Sequence, residues 1–280
     1  MYQRADIAYR YDGSFDGLMC CVFESFCRKE RPAVCQAAGR EQSCLYPVIE
    51  VDTNLSKAGR VKASIPLKIG VTAWDLITRA FLFDSPEKED PIITFLHMGY
   101  ELGYKTPFLL GDETVAIVRK MAQAVEHEAH QLNGFVRFSQ HGAALVSVIE
   151  PKHFVLPLLQ LHFCSRYCEE SFFIYDKAHG AALLYKPYQA DIIPIDSFEE
   201  ADSDEEEMRY RQLWSGYYRT ISIKERESKK RSRRRMPERF CRGMTELLTI
   251  QNREAEKEKI KIQPSSEERL KTGLISLLKP

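Results

Sequence analysis

The chain lacks an excess of either charge: its 280 residues carry 40 Lys and Arg against 40 Asp and Glu, so the molecule as a whole is neither a polycation nor a polyanion. It lacks any uninterrupted apolar run of the ~18 or more residues that a membrane-spanning helix needs. Met1-Tyr2-Gln3-Arg4 runs towards Asp6 rather than into an apolar signal core. No membrane contact is expected, and the cytoplasm is the default location. Eight cysteines occur without a repeated Cys-x-x-Cys pair, which argues against closed zinc sites. Cys164 and Cys168, one helical turn apart, supply two ligands where such sites use about four. Gly-Lys-Ser/Thr is missing, so Gly13 and Gly17 do not form a phosphate-cradling loop. His-x-x-x-His and His-Glu-x-x-His are missing as well, and without Cys-x-x-x-Cys-x-x-Cys the chain is not itself a radical-SAM enzyme. No metal and no cofactor is expected.

What the chain does have is sorted charge. Between Lys224 and Arg242 stand ten Lys/Arg and three Glu, whereas Asp196 to Glu207 holds eight acids. An aromatic cluster, Trp214, Tyr217 and Tyr218, directly precedes the cationic run. Phosphate is the usual ligand of such a patch.

Periodicity sets out the rest. A short strand at Ile7 to Tyr11 leads through Asp12-Gly13-Ser14 into a helix with Phe15, Leu18, Val22 and Phe26 on one face. Residues 28–47 read as irregular, followed by a strand at Val48 to Val51. From Lys57 to Gly103 the patterns are helical, with Trp74, Ile77 and Phe81 as core anchors and Pro86 and Pro91 as breaks. A long helix from Gly111-Asp112 to Leu132 has the stripe Val115, Val118, Ala122, Val125, Ala129 and Leu132, with Gln123, His127 and His130 on the opposite side. Strands are expected at Phe135 to Phe138, Leu145 to Ile149, Phe172 to Tyr175 and Ala182 to Tyr185, with a helix from Pro157 to Tyr167 between the second and third. Ser203-x-x-Glu206 is a capping box for a helix whose buried stripe is expected to be Tyr210, Leu213, Trp214, Tyr217 and Ile221. The sum is an α+β protein in three parts: a mainly helical N-terminal region (1–132), a central antiparallel sheet of ββαββ order (133–195), and a C-terminal helix with a basic arm (196–243). A charged helical tail (244–280) follows.

Four groups of residues carry a resemblance. They are Tyr11-Asp12-Gly13-Ser14-Phe15-Asp16-Gly17-Leu18; Glu128-Ala129-His130 with Gly134-Phe135-Val136-Arg137-Phe138; Glu150-Pro151-x-His153 with Leu156-Pro157-Leu158-Leu159-x-x-His162-Phe163-x-x-Arg166; and Ile221-x-Ile223-Lys224-Glu225-Arg226 with Met236-Pro237. In this order, over residues 1–243, the chain resembles the bacterial DNA metabolism protein family that carries the DUF4130 domain. The resemblance implies a genomic neighbour, a radical-SAM protein of DNA modification or repair, and in some members a fused uracil-DNA glycosylase-like domain. It supplies no catalytic residue, and such chemistry would come from a partner.

Two sets of candidate residues follow. For nucleic acid they are Arg219, Lys224, Arg226, Lys229, Lys230, Arg231, Arg233, Arg234 and Arg235 as phosphate contacts, with Tyr217 or Tyr218 for base stacking if one is exposed. For chemistry they are His130, Glu150, His153, His162 and Asp176, with Glu128 beside them and Arg137 and Arg166 as phosphate holders. The leading expectation is a DNA-binding accessory protein of repair or modification that works with a radical-SAM or glycosylase-type partner. A DNA-processing enzyme built on the His/Glu set is the alternative, as is a protein-interaction scaffold.

Overall fold

The computed structural model describes residues 3–39, 45–142, 144–196, 198, 205–221, 238–241 and 244. The chain divides into two units: Met1–Asn133 with Pro151–His162, and Gly134–Glu150 with Phe163–Pro280.

In the first unit, strands β1 (Arg4–Tyr11), β2 (Arg31–Ala37) and β3 (Val48–Glu50) form a parallel sheet in the order β2-β1-β3. A parallel pair needs a crossover, and α1 (Phe15–Arg28) supplies it between β1 and β2. Ser14 caps α1, its Oγ accepting the Gly17 N–H at 2.9 Å. Asp12 in turn accepts the Ser14 N–H and hydroxyl at 2.9 and 2.7 Å and the Thr53 hydroxyl at 2.7 Å. Burial pushes the Asp12 carboxyl up, and these bonds outweigh it, so its pKa lies below the ordinary value. Strand β2 corrects the expectation of an irregular 28–47: Arg31-Pro32-Ala33-Val34-Cys35-Gln36-Ala37 neither alternates nor is rich in β-branched residues, and its burial follows contacts on both sides.

Helices α2 (Leu55–Lys68), α3 (Val71–Phe81), α4 (Glu89–Leu102) and α5 (Glu113–Phe135) then build the core on the sheet. Pro91 does not break the pattern; it sits in the first turn of α4, where no intrahelical N–H is needed. Phe15 packs edge-on against Trp74 and Phe81, at 5.8 and 5.1 Å between ring centres. The α5 stripe from Val115 to Leu132 is buried, and Gln123, His127 and His130 are exposed, as the helical period requires. Helix α6 (Leu156–Arg166) begins in this unit.

The second unit holds a sheet of five strands: β4 (Ser139–His141), β5 (Ala144–Ile149), β6 (Ser171–Asp176), β7 (Ala181–Lys186) and β8 (Gln189–Pro194), in sequential order. The expected ββαββ order is present and is extended by β8 to ββαβββ, and the expected all-antiparallel sheet is corrected to a mixed one: β5 and β6, separated by the α6 crossover, pair in parallel while the other neighbours are antiparallel. Phe135 ends α5 instead of starting a strand, so the first hairpin strand begins at Ser139, just after its expected apolar residues end. Strand β8 escaped the sequence pattern because it is a largely exposed edge strand, where Asp191 and Pro194 are tolerated. Phe138 and Phe163 (5.5 Å between ring centres) and Phe172 with Tyr185 (4.8 Å) make the aromatic core of this unit. Helix α7 (Glu205–Ile221) follows the sheet, and a short turn of helix at Glu238–Cys241 carries the buried Phe240. Among the described residues no helix is long and apolar enough to cross a membrane.

Two consequences of this packing are measurable. A Cβ at Gly17 would collide with Asp12 Oδ1 and lie 2.7 Å from the buried Tyr11 ring and 2.9 Å from Thr53 Oγ1. Gly17→Ala is expected to cost about 1–3 kcal/mol in urea denaturation. His97 is buried, stacked on Phe26 at 4.4 Å and bonded to Ser25 Oγ at 2.9 Å. The only proton of that hydroxyl goes to the Val22 carbonyl, so His97 Nε2–H is the donor. Burial, reinforced by Arg31, lowers the His97 pKa from 6.5 to about 4. Between those values the unfolded chain binds the proton and the folded chain does not, so stability falls as pH drops through this window. The loss for one such group is up to about 3 kcal/mol, and His97→Gln should flatten it in denaturation curves at pH 7 and pH 4.5.

Candidate functional site

Helix α7 docks on β4 through polar groups. Glu207 accepts the Gln140 N–H at 3.2 Å and pairs with Arg211 at 2.7 Å, Arg211 bonds Ser139 Oγ, and Ser215 is buried one turn further on. These positions are four residues apart and define the inward face. The expected buried stripe is therefore corrected. Tyr210, Leu213, Trp214, Tyr217 and Ile221 are 59, 60, 42, 56 and 56% exposed. Trp214 lies 5.8 Å from Tyr217, and the Arg137 guanidinium sits over the Trp214 ring at 6.0 Å.

Arg219 is on α7, while the side chains of Lys224, Arg226, Lys229, Lys230, Arg231, Arg233, Arg234 and Arg235 lie outside the described residues, as does the capping box at Ser203. Beyond that run the chain returns to the packed structure: Phe240 and Met244 are buried, and Phe240 lies 5.8 Å from Phe135.

The His/Glu/Arg set is distributed over both units. In the first, Glu128 and His153 are brought together: the buried Glu128 carboxylate accepts the backbone N–H of Lys152 at 2.9 Å and of His153 at 2.8 Å. His153 precedes α6, as Pro157 requires, and its ring stacks on Phe83 at 4.4 Å. Its Nδ1 accepts the Asp84 N–H at 3.1 Å, so the proton of the neutral ring is on Nε2 and neither nitrogen offers a lone pair to a metal. His130 is exposed on α5 and His162 is half-buried on α6.

In the second unit, Glu150 pairs with Lys177 at 3.5 Å and Arg137 donates to the Gly134 and Val136 carbonyls at 2.9 and 3.1 Å. Arg166 is exposed beside the Tyr167 ring. Asp176 is fully buried at the end of β6, where it accepts the Ala178 and His179 N–H groups and pairs with His179 Nδ1 at 2.7 Å. Burial pushes the Asp176 pKa up against these bonds. The turn geometry makes Asp176 and His179 a hairpin clasp, a pairing whose spacing of three residues across a turn was the available signal. Among the described residues no three His, Cys, Asp or Glu side chains are grouped to hold a metal. Cys164 is half-buried on α6 and Cys168 lies beyond the helix end, so the one-turn spacing does not align the two thiols on one helix face.

A concave feature lies wholly in the first unit. A cleft of about 750 Å³ is lined by β2, the segment from Phe83 to Pro91, one face of α5, and Lys152 with His153. Its size is that of a small-molecule site. Removing the carboxylate that holds the last two residues in place tests how firmly this wall is built. Glu128→Ala leaves the buried His153 N–H and the part-buried Lys152 N–H without their acceptor and should cost about 3 kcal/mol, read by urea denaturation.

No curated protein and no solved structure matches the chain. One family model does, the domain of unknown function DUF4130, over residues 86–246. That span takes in α4 to α7, the Glu128–His153 contact and the basic segment, and leaves out the Tyr11-to-Leu18 motif. With more than half of its length matched, the chain belongs to the DUF4130 family.

Proposed function

We propose that this protein is a DNA-binding accessory protein of DNA repair or modification, with α7 and the following basic segment as its interface. The observation that carries this reading is the exposure of the Tyr210–Trp214–Tyr217 stripe at the entry to a run of ten cations. Exposed rings stack on bases of any sequence, and cations pair with the phosphates between them. This combination favours single-stranded over double-stranded nucleic acid, because the rings need unpaired base faces. The family resemblance points to a radical-SAM or glycosylase-type enzyme as the partner that performs chemistry on the bound strand.

A second reading uses the same stripe. Exposed Leu213, Tyr217 and Ile221 on one helix face would equally suit a protein surface, which makes the chain a scaffold for the partner enzyme.

Anisotropy of a labelled single-stranded oligonucleotide separates the two. If about six phosphates are paired, affinity falls by roughly two to three orders of magnitude between 50 and 200 mM salt. Trp214→Ala should weaken binding by about 5- to 150-fold, the range for one lost stacking contact. Negligible binding at low salt, together with co-purification of the partner in the absence of nucleic acid, would replace the first reading by the second.

A further inference from the structure

The cleft in the first unit has chemistry that α7 does not use. One wall is aromatic, with Phe83 and His153 stacked at 4.4 Å and both lining the cavity. Helix α5 turns Ile117, Lys120 and Ala124 towards it, next to Met121 at the border of the buried stripe. Three cations, Arg4, Lys120 and Lys152, stand around it with two carboxylates, Glu87 and Asp90, and the buried carboxamide of Gln36. Both signs of charge in one cavity beside an aromatic wall narrow the ligand. It needs a flat ring to lie on the wall, N–H groups for the carboxylates, and a single anionic group for the cations.

We propose that this cleft binds a nucleobase carrying one phosphate. The ring packs on the Phe83–His153 wall, base N–H donors face Glu87 and Asp90, and the phosphate meets Lys120, Lys152 or Arg4. A longer phosphate chain is disfavoured, since each added charge would approach the two carboxylates. The proposal stands apart from the α7 interface, because every lining residue belongs to the first unit. Free mononucleotides and a nucleotide turned out of a strand share this chemistry, and the experiment has an arm for each.

The test uses the full chain. Each deoxynucleoside 5′-monophosphate, and inorganic phosphate as control, is titrated to roughly 5 mM, which detects dissociation constants near 1 mM. A short single strand with one unpaired base provides the second arm. Phe83→Ala also removes the packing partner of His153, so the deciding variants are Ile117→Glu and Lys120→Glu, both at exposed positions of α5. Their melting temperatures should match the parent. The expected result is mononucleotide binding, or strand binding, that each variant weakens at least about tenfold, Lys120→Glu by removing a charge-assisted contact and Ile117→Glu by setting a carboxylate against the phosphate. Trp214→Ala should leave mononucleotide binding unchanged, which separates a failure here from a failure of the α7 reading. The proposal is overturned if neither ligand binds, if inorganic phosphate binds as tightly as the nucleotides, or if both variants bind like the parent.

Discussion

The first unit depends on one buried carboxylate. Taking a carboxylate out of water costs several kcal/mol unless its oxygens are bonded, and both Glu128 oxygens accept consecutive backbone N–H groups, of Lys152 and His153. That grip fixes the loop that returns to this unit after β5. With the loop in place, the Phe154 N–H reaches the Leu82 carbonyl at 3.1 Å, and the Val155 carbonyl accepts the Leu158 and Leu159 N–H groups that start α6. His153 then caps the Asp84 N–H and stacks on Phe83, which completes one wall of the cleft. A helix start, a loop and a cavity wall therefore trace back to a single side chain on α5. The same bonds engage both Glu128 oxygens and His153 Nδ1 with backbone N–H groups.

The second unit shows the opposite use of a polar group. Glu207, Arg211 and Ser215 seat α7 on the short strand β4, whose Ser139 and Gln140 offer hydrogen bonds rather than apolar surface. A helix held by its polar face must turn its apolar face outward. That is why an aromatic stripe of core-like composition is exposed, and why its exposure carries functional weight that its sequence pattern alone does not.

How much of this could be read from the chain depended on whether the deciding contact was local. The α5 stripe was legible because a 3.6-residue period places Val115, Val118, Ala122, Val125 and Ala129 on one side whatever lies opposite. The start of α1 after Asp12-Gly13-Ser14 was legible for the same reason, the cap bond from Gly17 to Ser14 spanning three residues. Strand β2 was not, because its identity comes from pairing with β1 across α1 and not from its own composition. Of the candidate site, Glu128 and His153 were picked out by residue type, but their contact spans 25 residues and turned a chemical pair into a structural one. The cleft residues Arg4, Gln36, Phe83 and Lys120 carried no sequence signal, being gathered from four segments.

By itself, then, the sequence determined the helices with a strong period, the ββαββ order, the sorting of charge between 196 and 242 and the absence of nucleotide-loop and zinc motifs. Those are properties of neighbours along the chain. Tertiary structure alone decided which side of α7 faces water, that β5 and β6 run parallel, and that a mixed-charge cleft exists. A helix with two distinct faces can bury either one, and only the polar edge of β4 settles which.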